Sequence, residues 1–466
     1  MDVFSDATAL REAIVRGETS AEDTLRAVLA RIERCNGSVN ALVALDAEAA
    51  LARARALDTH LSEGGEPGPL AGVPVTVKDM IDVAGFACTS GVRSRVDHRP
   101  VRSASVVQQL ERAGAVIVGK TNLPELGDAV ETDNLVFGRT NNPFDLDRTP
   151  GGSSGGEAVA VASGMSALGL GSDSGGSIRI PAHFCGLASI KPTYGRVPRT
   201  GLFPPAMGVG HERNQIGPLA RSMRDVALAL RVIAGPDGID PTVVPHTLGE
   251  PDPSLAAGLR VAVFDDNGVM SPDADTRAIV RNAAEAMAGL GARVTWAMPP
   301  GIEETADLMF GHRPESDART ERFRQLTGGA VSRLVSDSAE AARTYARRLN
   351  LSEFYDYTER LNRFRARMFA FMQDFDVLLC PVVATPAPLH RALSRAPDVL
   401  TISYTQTFNL CGWPTGTVNM GWTSKRLPVG VQINAAPWND EVVLAVGMAL
   451  ESAGGGFRPP DMDGDR

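Results

Sequence analysis

The run Leu70-Ala-Gly-Val-Pro-Val-Thr-Val-Lys78 is apolar at almost every position and closes on a lysine. A short stretch with no polar alternation fits a strand buried on both faces. A helical pattern follows at 103–112 and a second apolar run at Ala115–Val118. Strand, helix and strand in that order predict a largely parallel sheet with helices on its faces, an α/β fold. Outward from there, Ala158–Ser163 is small and apolar, fit for a close-packed helix, and Leu168–Leu170 is a brief apolar stretch. Pro218–Ala234 reads as a helix. Leu259–Phe264, Ala274–Ala288 and Val294–Ala297 read as strand, helix and strand, Val377–Leu379 and Val429–Ile433 as late strands, and Glu441–Glu451 as a final helix.

Residues 1–60 read as helices, with Ser20 and Asp23 resembling a capping box. Phe354, Tyr357, Leu361, Phe364, Met368 and Phe371 recur at helical spacing, a core-facing stripe. The arginine-rich stretch 302–350 is expected to form an exposed cap, and Gly454–Arg466 to fray. One large domain over 1–466 is expected, with its catalytic core at 70–240.

Of 466 residues, 43% are hydrophobic and 22% charged, an ordinary globular composition. The net charge of −9 disfavours a nucleic-acid partner, whose grip rests on basic patches. No apolar run approaches the ~20 residues of a membrane span, and no signal peptide is visible. The five cysteines are widely spaced and odd in number, the pattern of reduced thiols in a cytoplasmic protein.

Three motifs have the wrong surroundings. Gly114-Ala-Val-Ile-Val-Gly-Lys120-Thr121 matches a phosphate loop, but its middle is an apolar strand rather than a flexible cradle. His211-Glu212 opens like a zinc helix, yet Gln215 stands where the second histidine belongs, and no metal is expected. Gly151-Gly-Ser153-Ser-Gly155 matches a nucleophile elbow, with Asp376 and His390 following in the order a Ser-His-Asp enzyme would use. An elbow needs a strand before it, and Asn141–Pro150 is loop-like.

Two serine-bearing glycine clusters remain, Gly151–Gly156 and Gly171–Ser177. Successive N–H groups before a serine can form an anion nest. Lys78, closing a buried strand, either snorkels to solvent, the commoner case for a strand-end lysine, or is desolvated, which would leave a neutral amine able to act as a base. A serine hydroxyl needs such a base to attack.

These segments resemble the amidase signature family, serine hydrolases with a Ser–cis-Ser–Lys triad. The resemblance rests on Gly72–Asp79, Gly119–Glu125, Thr149–Glu157, Gly171–Ala182 and Lys191–Arg196, with later matches at Gln215–Arg221, Phe375–Pro381 and Leu427–Gln432. It implies a mixed sheet covered by helices on both sides, with Ser177 as nucleophile, Ser153 as bridging serine behind a cis peptide, and Lys78 as base. It places the oxyanion donors at the backbone N–H groups of Ser174, Gly175, Gly176 and Ser177, and has Asp173 and Arg179 order that loop. Gly127, Asp128 and Ala129 fall in the segment that lines the family's cleft. Residues 200–210 and 302–350 are also expected to shape specificity. The expected function is hydrolysis of a small-molecule amide, with esters and carbamates within reach. No cofactor is expected, and oligomeric state is not legible. Two alternatives stand beside it. One is a transamidase subunit that passes ammonia from glutamine to mischarged tRNA, ranked second because residues beyond 300 do not resemble it. The other is a non-catalytic binding homologue.

Overall fold

A computed structural model describes residues 2–205, 213–311, 323–345, 349–395 and 397–462. The parts of the expected specificity segments at 206–210, 312–322 and 346–348 lie outside these residues, as do His211 and Glu212.

Among the described residues, eleven strands form one mixed sheet. In chain order they are β1 (Leu42–Leu45), β2 (Pro74–Lys78), β3 (Val116–Thr121), β4 (Leu168–Asp173), β5 (Ala188–Lys191), β6 (Gln215–Ala220), β7 (Arg260–Val263), β8 (Arg293–Trp296), β9 (Val377–Pro381), β10 (Thr415–Trp422) and β11 (Pro428–Asn434). Their spatial order is β1-β3-β2-β4-β6-β5-β10-β11-β9-β7-β8. β2 runs parallel to both β3 and β4, whereas β6 is antiparallel to β4 and β5. At the far side β7 is parallel to β8 and β9.

Alternation along β2 sorts its side chains. Val75 and Val77 enter the core shared with the helices Ser105–Arg112 and Met223–Ile233. Thr76 and Lys78 are left for the opposite face, under the helix Gly155–Ala162, every residue of which is buried. Gly169 of β4 makes this close layer possible, since a Cβ there would come within 2.4 Å of Glu157 Oε2.

Several expectations are corrected. Pro218–Ala220 lies in strand β6, and the helix begins only at Met223. Pro218 is tolerated because β5 pairs only with Leu219 and Ala220, one and two places further on. The stretch 1–60 carries strand β1 between its helices. In the expected frayed tail, Phe457 and Met462 pack against the core and Gly456 O accepts from Asn419 Nδ2 at 2.9 Å, while 463–466 lie outside the described residues. Among the described residues, no helix is long and apolar enough to cross a membrane.

Candidate active site

Lys78 ends β2 wholly buried, and its Nζ meets three hydroxyls: Ser153 Oγ at 2.7 Å, Ser154 Oγ at 3.0 Å and Ser172 Oγ at 3.1 Å. Burial pushes the ammonium down to about 7, against the opposing pull of the Asp173 and Glu157 carboxylates. A substantial share of Lys78 is therefore a neutral amine near pH 7.

Ser153 follows a cis Gly152–Ser153 peptide just before the helix Gly155–Ala162. Ser154 is held from two sides: its N–H donates to Ser177 O at 3.0 Å and its hydroxyl to Ser172 O at 3.3 Å. The first of these bonds seats the Ser177 backbone against the serine pair, with Ser177 itself 8% exposed.

The loop between β4 and the helix Arg179–Phe184 is ordered by a buried carboxylate. Asp173 accepts Nε and Nη2 of Arg179 at 2.9 and 3.0 Å, and Asn409 Nδ2 at 2.9 Å. Burial alone would raise its pKa, but the Arg179 guanidinium holds it well below the usual carboxylate range. Arg179 also donates to Gln432 Oε1 and Thr405 O. Asp173 Oδ1 accepts the Gly176 N–H at 2.8 Å. Of the four candidate oxyanion donors, Gly176 is thus turned inward. No acceptor takes the N–H of Ser174, Gly175 or Ser177 among the described residues, and Ser174 is exposed.

Glu157 lies behind the lysine. Its carboxyl accepts Thr76 Oγ1 at 2.7 Å and Thr121 Oγ1 at 2.5 Å, and burial raises its pKa to about 7. Lys120, from the phosphate-loop match, lies near the end of β3 fully buried, bonded to Ile81 O at 2.7 Å and paired with Asp79 at 3.2 Å. It is a structural ion pair.

Gly127 abuts the bridge: a Cβ there would lie 3.1 Å from Ser153 Oγ. Ala129 instead packs under Leu334 and Val335, and Asp128 is half-buried. Glu125 accepts Ser332 N and Oγ at 2.7 and 2.8 Å, which ties the arginine-rich segment to this loop. The Ser-His-Asp alternative finds no geometry. Asp376 pairs with Arg260, while His390 faces Glu131 at 3.9 Å and Leu146 O at 3.3 Å. No cluster of metal-ligating side chains occurs among the described residues.

Ser172 and Glu157 carry no role that the sequence alone assigns, although each lies inside a quoted motif. Asn409, 236 residues from Asp173, carries no local signal at all.

The chain as a whole resembles known proteins. The Amidase family profile matches residues 23–444. The A subunit of glutamyl-tRNA(Gln) amidotransferase from Deinococcus radiodurans is 38% identical, covering 97% of this chain and 98% of its own length. The protein of the same name from a Roseiflexus species is 35% identical over 95% of this chain and 94% of its own length. Among solved structures, a 6-aminohexanoate cyclic dimer hydrolase complexed with substrate superposes with a TM-score of 0.86 at 28% identity, covering 99% of this chain and all of that one. The A subunit of the same amidotransferase from Thermotoga maritima superposes with a TM-score of 0.80 at 26% identity, with 99% of both chains covered.

Proposed function

The chain belongs to the amidase signature family, and we propose that it cleaves an amide C–N bond through an acyl-enzyme on Ser177. The observation that carries this reading is the contact of a buried lysine, with a pKa near 7, on the Ser153 hydroxyl. Neutral Lys78 accepts the Ser153 proton as Ser153 accepts that of Ser177, and Ser177 Oγ attacks the carbonyl carbon. The N–H groups of Ser174, Gly175 and Ser177 hold the oxyanion. Ser153 then returns a proton to the leaving nitrogen, the C–N bond breaks, and water cleaves the acyl-enzyme with the same base. No step calls on a metal or cofactor.

The relatives favour a second, narrower reading over a free-standing amidase. The curated relatives at 34–38% identity are amidotransferase A subunits, and their similarity runs over 94–97% of this chain. Similarity of that extent passes well beyond residue 300, which removes the ground for ranking the transamidase second. In this reading the amide is the glutamine side chain, the released ammonia goes to a partner, and partner subunits complete the enzyme.

Fluorophosphonate labelling tests the shared chemistry: label on the native protein and none on Ser177→Ala is expected. Label retained by Ser177→Ala refutes it. Glutaminase activity measured alone and with the partner subunits from the same source separates the readings. A rise only with partners supports the transamidase, whereas equal turnover of simple amides without them supports the free-standing amidase.

A further inference from the structure

Beside the nucleophile loop stands a guanidinium with no anion among the described residues. Arg213 lies two residues before Gln215, which pairs with Asp173 across β6 and β4, so its backbone runs level with the loop that follows Asp173. Asn409 fixes it there, with Nδ2 donating to Arg213 O at 3.1 Å and to Asp173 Oδ1 at 2.9 Å. The side chain is half-buried and, among the described residues, meets two weak acceptors: Tyr357 Oη at 2.7 Å and the Met309 thioether at 3.3 Å. Its Nε is buried with no partner, and no carboxylate pairs with it among the described residues.

A second unsatisfied group converges on the same place. Gln406 is 2% exposed, and its Oε1 has no hydrogen-bond partner. From the position of a Cβ on Gly175, Gln406 Nε2 is 3.8 Å away and Met309 Cε 3.6 Å. Gly175 therefore lies within van der Waals reach of Gln406 and Met309, and Arg213 meets the Met309 thioether. Buried polar groups are rarely left unpaired, and those that are call for a partner. A guanidinium presents a planar fork of donors that matches a carboxylate.

We propose that Arg213 and Gln406 form an acyl-end subsite beside the Ser174–Ser177 loop, selecting amides whose acyl portion ends in a carboxylate. The inference rests on the acyl-enzyme reading for the direction in which the substrate lies, and it narrows the substrate class. Arg213 takes the carboxylate through its free donors. Gln406 lies nearer the loop and donates its Nε2 to the oxygen atoms of the same acyl chain.

The test compares succinamate and glutaramate with butyramide and valeramide, the same chains with a methyl group in place of the carboxylate. One or two charge-assisted hydrogen bonds correspond to roughly a 10- to 100-fold preference in kcat/KM for the anionic member. Arg213→Ala and Arg213→Gln should each erase that preference, mainly through KM, and Arg213→Lys should keep a good part of it. Arg213→Gln retains a side-chain donor toward Tyr357, so agreement between the two variants separates lost recognition from lost packing. A wild-type enzyme indifferent to the carboxylate, or a preference that survives both variants, overturns the proposal. Calorimetric binding to Ser177→Ala distinguishes the two levels. Succinamate or glutaramate bound by Ser177→Ala but not by Ser177→Ala/Arg213→Gln supports the subsite even if no amide is turned over, in which case the acyl-enzyme reading falls. Failure of both to bind Ser177→Ala overturns the subsite while fluorophosphonate labelling still decides the nucleophile.

Discussion

Asp173 reaches back to Gly176 and takes its N–H on Oδ1 at 2.8 Å, while Arg179 clamps both oxygens of the same carboxylate. The nucleophile loop is thereby hung from a buried ion pair of which neither side chain is exposed. Removing one partner of such a pair leaves an uncompensated charge and costs about 3–5 kcal/mol. Asp173→Asn is expected to lower unfolding stability by that order in urea titration and to abolish fluorophosphonate labelling at temperatures where the variant is still folded. Asp173→Asn/Arg179→Met should recover part of the stability without the labelling. A single variant as stable as the wild type would show that the pair does not hold the loop.

The pH dependence follows from Lys78. Its pKa is lowered from 10.5 to about 7, so the amine is mostly neutral above pH 7 and mostly charged below it. The base must be neutral, so kcat/KM should rise with pH through a single limb near 7 and fall about tenfold per unit on its acid side. From the sequence alone the rise is expected between neutral and alkaline pH; complete burial brings it to about 7. A limb there resembles that of a histidine, so variants must assign it. His390→Ala should leave the limb in place. Glu157→Gln should move it to lower pH, because the Glu157 carboxylate is one of the charges that support the ammonium. A limb that disappears with His390→Ala, or moves upward in Glu157→Gln, contradicts the assignment.

The part of the fold legible in the sequence is the part built from predominantly apolar runs. β2, β7, β9 and β11 are of this kind, and each appears within a few residues of where the pattern places it. β10 has no such signal. Thr415, Gly416, Thr417 and Asn419 break any apolar pattern, yet all are buried between β5 and β11. Such a strand is made by its neighbours rather than by its own residues. The candidate site divides in the same way. Lys78, Ser153 and Ser177 sit in local motifs, whereas Asn409 and Gln432 reach Arg179 from 230 and 253 residues away. No local pattern reports a contact of that span. Of Gly127, Asp128 and Ala129, it is Gly127 on which an added Cβ would meet Ser153 Oγ.

Gly127 has a φ of +69°, and a Cβ on it would stand 3.1 Å from Ser153 Oγ. The left-handed backbone costs a non-glycine residue about 1–2 kcal/mol. The close contact adds a displacement of the bridging hydroxyl from Lys78. Gly127→Ala should therefore reduce kcat at least tenfold, more than its modest loss of stability accounts for. Steady-state kinetics beside urea denaturation of the same preparation checks this. An alanine variant of full activity would mean that the Ser153 hydroxyl has room to move without consequence.

Three serine hydroxyls touch Lys78, and their surroundings separate their roles. Ser154 has its N–H on Ser177 O and its hydroxyl on Ser172 O, so it is committed to holding the two glycine clusters together. Ser172 is directed to the Met80 thioether at 3.2 Å as well as to the lysine. Ser153 has the shortest approach to Nζ, and Lys78 is its one hydrogen-bond partner among the described residues. A hydroxyl so placed is free to exchange its proton with a second group. Ser153→Ala is expected to lower kcat by about 10²–10⁴, the range for a positioned acid–base group. Ser154→Ala should lower stability by about 1–3 kcal/mol, since its hydroxyl bonds both Lys78 Nζ and Ser172 O, with kcat within tenfold of wild type. Because the relay must protonate the leaving nitrogen, the Ser153→Ala defect should be larger for an anilide than for an activated ester of the same acid. If Ser154→Ala shows the larger kinetic defect, the bridge belongs to Ser154. If the two substrates suffer equally in Ser153→Ala, its hydroxyl does not deliver the proton to the leaving group.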